Sequence, residues 1–553
     1  MSPRETLRHA TPDFEDRTSK RQRNGYSDFT PVASEASPRP SVLETTSPST
    51  PWAEPIVANP IDHNLLRDWQ VNPYIANRAL VTELTSVFFK YAPETTYSMF
   101  PEGPFTSWIL SSKEKSLDDL MVIYTILALG TVFSPKLEHK AQGIQYAAIS
   151  RYACQNRHFS IQLVQSRAML ALYYFAINNP NDAWDVCGSA LRAASGLRLN
   201  VEFEQSEDAF LKTFPYGLNR AGYAECRRRT FWSCYITDRF NGFCSGHPSV
   251  VQSQDIFLRL PCDTKSFEMQ VDVQNPFFDA STPPIPNVNW TIGSMGYLVN
   301  IATIWGDVME NIYRTSHRPT PLTSNSSFMT FYDNTTHRLR EWKDSLPSSY
   351  QFSAENLDKA ADTGKFGTYM TMHSLHHTTA MKLNRYLQKS TTTNAQVNHH
   401  VSMAKHHAEE LLLVMDTLAA RQSSIASPSQ TTSAPTKVSA PFIGYSIVSA
   451  VDILSAKFRV TSIPSRLASF SGAQSVLAEL ALFWQCAKNQ QALVSQRVGD
   501  LAERTTGKEV GGAGAIGFHV GNMGAFRETV DGFVEMRESI EKTFSRDYDL
   551  FYA

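Results

Sequence analysis

Residues 225–263 read ECRRRTFWSCYITDRFNGFCSGHPSVVQSQDIFLRLPCD, an arginine run that opens an aromatic-rich helical segment, followed by a polar loop that closes on Leu-Pro-Cys-Asp. Helical residues are spaced by 100°, so Arg227, Arg228 and Arg229 fan across most of the circumference and present no single phosphate-binding stripe. Glu225 stands four residues before Arg229, where an ion pair is worth about 0.3 kcal/mol. Asp238 is the expected acceptor for the guanidiniums. Two readings of Arg228 and Arg239 stay open: pairing with buried or half-buried carboxylates between helices, or a ligand or partner site.

Outward from this segment, helical periodicity recurs. Leu298, Ile301, Trp305, Val308 and Ile312 draw one apolar stripe, as do Ala404, Ala408, Leu411, Met415 and Leu418. Val476, Leu480, Phe483 and Trp484 mark another helix. Residues 160–178 are predicted to form the first helix of a hairpin, with Asn179 as N-cap and Pro180 at the first position of the second. Trp184, Cys187, Leu191 and Ala194 are expected on the inner face of that second helix, and Gly196 is expected to end it in the left-handed conformation. Strand-like alternation is scarce, so the fold class is all-α: one large helical domain of packed antiparallel hairpins. The apolar run 120–133 is shorter than the ~20 residues that span a bilayer, and it reads as a buried core helix.

The order Arg228-Arg229-x-Phe231-Trp232, Asp238-Arg239, Gly246-x-Pro248, Asp255-Ile256 and Leu260-Pro261-Cys262-Asp263 resembles the signature of the fungal-specific transcription factor domain. This is the regulatory middle domain of fungal zinc-cluster transcription factors, of the xylanolytic-activator type. Further blocks fit in chain order: Leu127-Ala128-Leu129-Gly130, Ala183-Trp184 running to Gly196-Leu197, Trp342 with Leu346-Pro347, Leu383-Asn384-Arg385 and Pro441-Phe442. The sequence departs from the family pattern at His247, where Arg is commoner, and at Asn384, where His is commoner. The resemblance implies a nuclear regulator of transcription by RNA polymerase II. Its implied partners are a second copy or a related transcription factor, DNA reached indirectly or through a zinc-cluster module, and a small-molecule effector.

Family members usually begin with two Cys-x2-Cys-x6-Cys halves that hold two zinc ions. Here the first cysteine is Cys154, and Cys226, Cys234 and Cys244 lack the Cys-x2-Cys knuckle. Zinc is therefore expected only if such a module is restored, and no cofactor is expected of this chain. Either the regulator works without its own DNA-binding module, or an upstream exon encodes one. Seven scattered cysteines suit a reducing compartment.

Composition sets the outer limits. With 553 residues, 42% of them hydrophobic and 19% charged, the chain can bury a sizeable core. Its formal net charge of -2 gives no overall attraction to nucleic acid. Residues 1–58, rich in Pro, Ser and Thr, are expected to be disordered, with residues 59–545 forming the regulatory domain. Within the first segment Arg17, Lys20, Arg21 and Arg23 form a basic cluster, read either as a nuclear-import address or as a solvated charge run.

Catalytic and metal readings find little support. Gly512, Gly514 and Gly517 fit a dinucleotide pattern without its strand–turn–helix context. His373 and His377 are one helical turn apart but lack the Glu of a zincin motif, and His399 and His406 are too far apart along a helix to share an ion. No nucleophile elbow or Walker loop is present, and no enzyme, catalytic residue or metal ligand is assigned. The alternative to a transcription regulator is a helical scaffold that binds a ligand or partner with no direct DNA contact.

Overall fold

The structure, a computed structural model, describes residues 62–244, 248–284, 290–319, 326–363, 365–387, 392–425, 438–505, 526–528 and 533–536. The expected disordered segment 1–58 with its basic cluster, Gly246 of the signature and the Gly512–Gly517 run all lie outside the described residues. The described chain begins with α1 (His63–Trp69), α2 (Pro73–Ala76), α3 (Arg78–Tyr91), α4 (Glu102–Ile109), α5 (Leu117–Phe133), α6 (Leu137–Gln155), α7 (Ile161–Ala176) and α8 (Pro180–Gly196). The long α9 (Arg220–Cys244) and the short α10 (Thr264–Glu268) follow. The second half comprises α11 (Ser294–Ser316), α12 (Ser326–Ser345), α13 (Ala354–Asp362), α14 (Phe366–Arg385), α15 (Asn394–Ile425), α16 (Phe442–Ala456), α17 (Ile463–Ser469), α18 (Ser471–Leu480) and α19 (Gln485–Thr505). The fold is all-α. Among the described residues one small sheet has antiparallel β1 (Lys457–Arg459), β2 (Phe526–Glu528) and β3 (Phe533–Met536) in the order β1-β3-β2.

Helices α3, α5, α6, α7 and α8 pack as one group and α11, α14, α15, α16, α18 and α19 as another. Helix α9 touches α7 and α8 on one side and α11 on the other, and so joins them. Short polar residues start many of these helices. Asp62, Asn72, Asn77, Ser160, Asn179 and Ser353 each accept an early backbone N–H that has no intrahelical partner. Every residue from Leu120 to Phe133 in α5 is buried, as the sequence reading expects, and no described helix is long and apolar enough to cross a membrane. The stripes on α11 and α15 are buried as expected.

The α7–α8 hairpin forms where the sequence places it, with two corrections. Asn178 takes the left-handed conformation at φ 61° and ends α7, while the N–H of Asn179 reaches Tyr174 O at 2.8 Å. Helix α8, however, is not ended by a left-handed Gly196. Arg198 carries the positive φ of 50°, with Arg198 N–H on Ser195 O and Leu199 N–H on Ala194 O, both at 3.0 Å. Gly196 is required because the Phe159 ring lies 2.8 Å from where a Cβ would stand. Trp184 is 44% exposed, not on the inner face; the small Ala183, one position away, is buried with Cys187, Leu191 and Ala194. A third correction concerns Phe483 and Trp484. They follow the end of α18 at Leu480, and Trp484 is buried in the turn with its indole N–H on Ser439 O at 2.8 Å.

The histidines cluster where α14 meets α12 and α15. His376 stacks on Trp342 at 5.3 Å, and His373 Nε2 lies 2.9 Å from Tyr350 O. His400 Nδ1 meets Asn384 Oδ1 at 2.9 Å, and the Nδ1 atoms of His377 and His407 are 3.2 Å apart. Burial, reinforced by neighbouring imidazoles and Lys343, lowers His373 to about 4, His376 to about 3 and His407 to about 4, and it pushes His377 well down. At neutral pH these rings are uncharged packing groups.

Two predictions follow from this half of the fold. Arg385 and Asp452 are both fully buried, with Nη2 2.5 Å from Oδ2 and Arg497 3.6 Å from the other carboxylate oxygen. Asp452→Ala removes the buried carboxylate that both guanidiniums face and should cost about 3–5 kcal/mol in denaturant unfolding. The histidines have folded pKa values below their unfolded ones, so their contribution is present above about pH 6.5 and lost as pH falls toward 4. Glu94, raised to about 7 by burial at the start of α14, works in the opposite direction as one group against several. Melting temperature should fall between pH 7.5 and 5.5, and His376→Phe, which keeps the ring stack, should reduce the fall; a flat profile would contradict this account.

Candidate functional site

Helix α9 carries the signature residues Arg228, Arg229, Phe231, Trp232, Asp238 and Arg239, and the segment 250–263 that returns along it has almost no regular structure. A buried backbone N–H or C=O left unpaired costs about 1–3 kcal/mol, so this segment needs partners. At three points side chains supply both an acceptor and a donor. At Val251, Asp238 accepts the N–H at 2.9 Å and Arg239 Nη2 donates to the C=O at 2.7 Å. At Arg259, Glu202 accepts the N–H at 2.6 Å and the Trp232 indole donates to the C=O at 3.1 Å. At Cys262, Glu225 accepts the N–H at 3.0 Å and Arg229 Nη2 donates to the C=O at 2.6 Å. Each point is a clamp with one acceptor and one donor, the pair a neighbouring strand would otherwise offer.

The charged groups of the clamps hold one another. Arg228 bridges Glu202 at 2.8 Å and Glu225, and Arg229 Nε donates to Glu225 at 2.7 Å, with all four side chains buried or nearly so. Burial would raise the Glu225 carboxyl, but the Arg228 and Arg229 guanidiniums beside it outweigh that and hold it below the usual range. Arg227 takes a third direction. It pairs with Asp208 at 2.7 Å and donates to Leu197 O and Arg198 O, closing the carbonyl end of α8. The fan of three arginines is thus spent on three neighbours. The expectation that Asp238 accepts the guanidiniums is corrected: its carboxylate takes the Val250 and Val251 N–H groups, at 3.0 and 2.9 Å. Arg239 lies 4.8 Å over Tyr235 and against Gly306 of α11, where a Cβ would come within 2.5 Å of its Cδ.

The remaining signature residues have local roles. Phe231 and Trp232 are buried, and Asp263 caps α10 by accepting the Ser266 N–H at 2.7 Å. Asp255 ends a short turn whose carbonyl accepts from Asn200 at 2.8 Å. Pro261 links the Arg259 and Cys262 clamps, while Pro248 is exposed. Glu202 and Asp208, 26 and 19 residues before their arginines, carry no sequence signal that ties them to the helix. The expected i,i+4 pair of Glu225 and Arg229 does form, but buried, as part of a clamp.

On another face α9 reaches a cavity of about 360 Å³. Thr237 and Phe240 of α9, Ala171 and Phe175 of α7, and Ala183 and Trp184 of α8 form one side. Phe442 and Tyr445 of α16 and Gln490 of α19 form the other, and Phe240 stacks on Phe442 at 4.6 Å. Thr95, Thr96 and Tyr97 complete the wall. Thr96 is held at φ 96°, uncommon for a β-branched residue, by its carbonyl accepting the Ser233 hydroxyl at 2.8 Å. Among the described residues no group of three or more His, Cys, Asp or Glu could hold a metal ion, and His373 and His377 are engaged with Tyr350 and His407 instead of with each other.

The clamps predict an asymmetry between the two arginines. Arg228→Met leaves Glu202 and Glu225 buried without their shared cation and should cost about 3–5 kcal/mol. Arg239→Met takes the donor from one carbonyl and a cation from beside Asp238, whose carboxylate keeps the Val250 and Val251 N–H groups, and should cost about 1–2 kcal/mol. Urea unfolding of the two variants checks the order, and equal losses would contradict it.

The sequence model described as the fungal specific transcription factor domain matches residues 85–346, a span that holds α9 and all three clamps. An uncharacterized transcriptional regulatory protein of Schizosaccharomyces pombe is 26% identical over 342 residues, 58% of this chain and 34% of that protein. A Zn(2)-C6 fungal-type transcription factor of Fusarium oxysporum f. sp. lycopersici is 24% identical over 319 residues, 54% of this chain and 33% of its own length. A second transcriptional regulatory protein of Schizosaccharomyces pombe is 23% identical over 379 residues, 63% of this chain and 51% of that protein. The chain thus spans about a third to a half of the length of these relatives, and no solved structure matches it. Residues 85–346, which hold the Arg228–Arg239 part of the signature on α9, are thus similar to the fungal specific transcription factor domain.

Proposed function

We propose that this chain is a nuclear regulator of transcription by RNA polymerase II, and that its helical domain is the part that receives partner or effector signals. The observation that carries the reading is the family match over residues 85–346, supported by relatives named as transcription factors and transcriptional regulatory proteins. The clamps bear on how DNA is reached. Arg227, Arg228 and Arg229 are all paired within the fold, so the basic run is spent on structure and offers no free stripe to phosphates. The net charge of -2 adds no nonspecific attraction. DNA contact then comes through a zinc-cluster module, either joined to this chain or carried by a related regulator that pairs with it.

Two experiments test the reading. In a mobility-shift assay at moderate salt the 553-residue chain alone should give no sequence-specific shift. Tethered to an unrelated DNA-binding domain in a fungal nucleus, it should change reporter output severalfold. Tight specific binding by the chain alone would place a DNA-reading surface among helices assigned here to packing. A silent reporter would favour the scaffold reading instead.

A further inference from the structure

The cavity beside α9 has an unusual lining for a site that would take a polar metabolite. Among the described residues around it, none has a charged side chain. Burying an unpaired carboxylate, phosphate or ammonium in such a wall is strongly unfavourable, whereas an uncharged ring system loses only water. At about 360 Å³ the space is on the scale of sites for small organic ligands, roughly 300–1,000 Å³. Its walls come from both helical groups and from the strained Thr95–Tyr97 turn, so filling it touches several elements at once.

Polar groups are few and placed. Tyr97 is 3% exposed and accepts the Thr237 hydroxyl at 3.1 Å, which leaves its own O–H to be donated into the cavity. Burial pushes this phenol far up, so it remains a donor. Gln490, packed against Gly444, has its Oε1 without a hydrogen-bond partner among the described residues, and a modest turn of the amide offers an acceptor. Trp184, which lines the cavity, remains 44% exposed, an aromatic surface that an occupant would cover.

We propose that this cavity binds a neutral, largely apolar small molecule with one or two hydrogen-bonding groups, and that it discriminates against charged metabolites. The proposal deepens the effector part of the reading above, but it stands on the cavity and not on transcription.

The test uses the full chain and two fluorescent probes that share one ring skeleton: neutral N-phenylnaphthylamine and its anionic relative, anilinonaphthalene sulfonate. The neutral probe should brighten on binding and quench Trp184 emission, and the sulfonate should bind at least about tenfold more weakly. Ala183→Phe and Ala171→Leu, which fill the space from two helices, should each weaken the neutral probe at least about tenfold while circular dichroism stays helical. Equal affinity for both probes, unchanged binding in both filled variants, or no response from the unsubstituted chain would overturn the proposal. Because the readout is binding, it separates from the functional reading. Probe binding with a silent tethered reporter would leave the cavity proposal standing and sink the transcriptional one, and the converse result would do the opposite.

Discussion

An irregular segment buried against a helix must have its peptide groups satisfied, and on the side facing α9 three residues of this one rely on side chains of α9 and on Glu202, while Asn200, Pro276 and Thr291 backbone carbonyls take other N–H groups of the segment. Val251, Arg259 and Cys262 each have their N–H and C=O taken by a paired acceptor and donor. The arrangement explains why the signature mixes acids, arginines and a tryptophan on one helix. A helix face of apolar residues alone would leave these peptide groups dry and unpaired. Acids or arginines alone would serve one half of each peptide and leave like charges buried together.

Placing such charges in the interior has its own cost, and the network offsets it by sharing. Glu225 accepts from Arg228, Arg229 and the Cys262 N–H, so its charge is met on several sides, and Arg228 in turn holds Glu202 for the Arg259 N–H. The four side chains therefore behave as one unit, and substitutions among them will not add. Because α9 also packs on α7, α8 and α11, the clamps fix the loop relative to both helical groups.

Much of this was legible in the sequence, and the limits have physical causes. Helix existence followed from periodicity: the α11 and α15 stripes and the buried α5 stand as read, because a 3.6-residue pattern is a local signal. The α7–α8 turn was legible because Asn178, Asn179 and Pro180 have few conformational alternatives. Trp184 was misplaced because hydrophobicity suggested burial, while close helix packing selected the smaller Ala183 next to it. Gly196 was given the wrong reason, since close approach of Phe159 demands the missing Cβ and Arg198 supplies the left-handed turn. Glu202 was invisible because a contact across 26 residues leaves no trace in local pattern. Asp238 was assigned to arginines because charge complementarity is easier to read from sequence than the need of a distant peptide group.

The two sides of α9 are built for different purposes. One is densely bonded: its arginines, acids and indole each have a named partner at hydrogen-bond distance, which leaves little freedom to rearrange. The other ends at a cavity bounded partly by Phe442 and Tyr445 of α16, where apolar contacts are non-directional and can be made or lost without leaving a charge unpaired. Under the cavity proposal both properties matter, since an occupant can bias the relation of helices only if one of them is held as a fixed reference. On that proposal the clamps would make α9 the reference, and α16, across the Phe240–Phe442 ring stack, would be the element against which an occupant works.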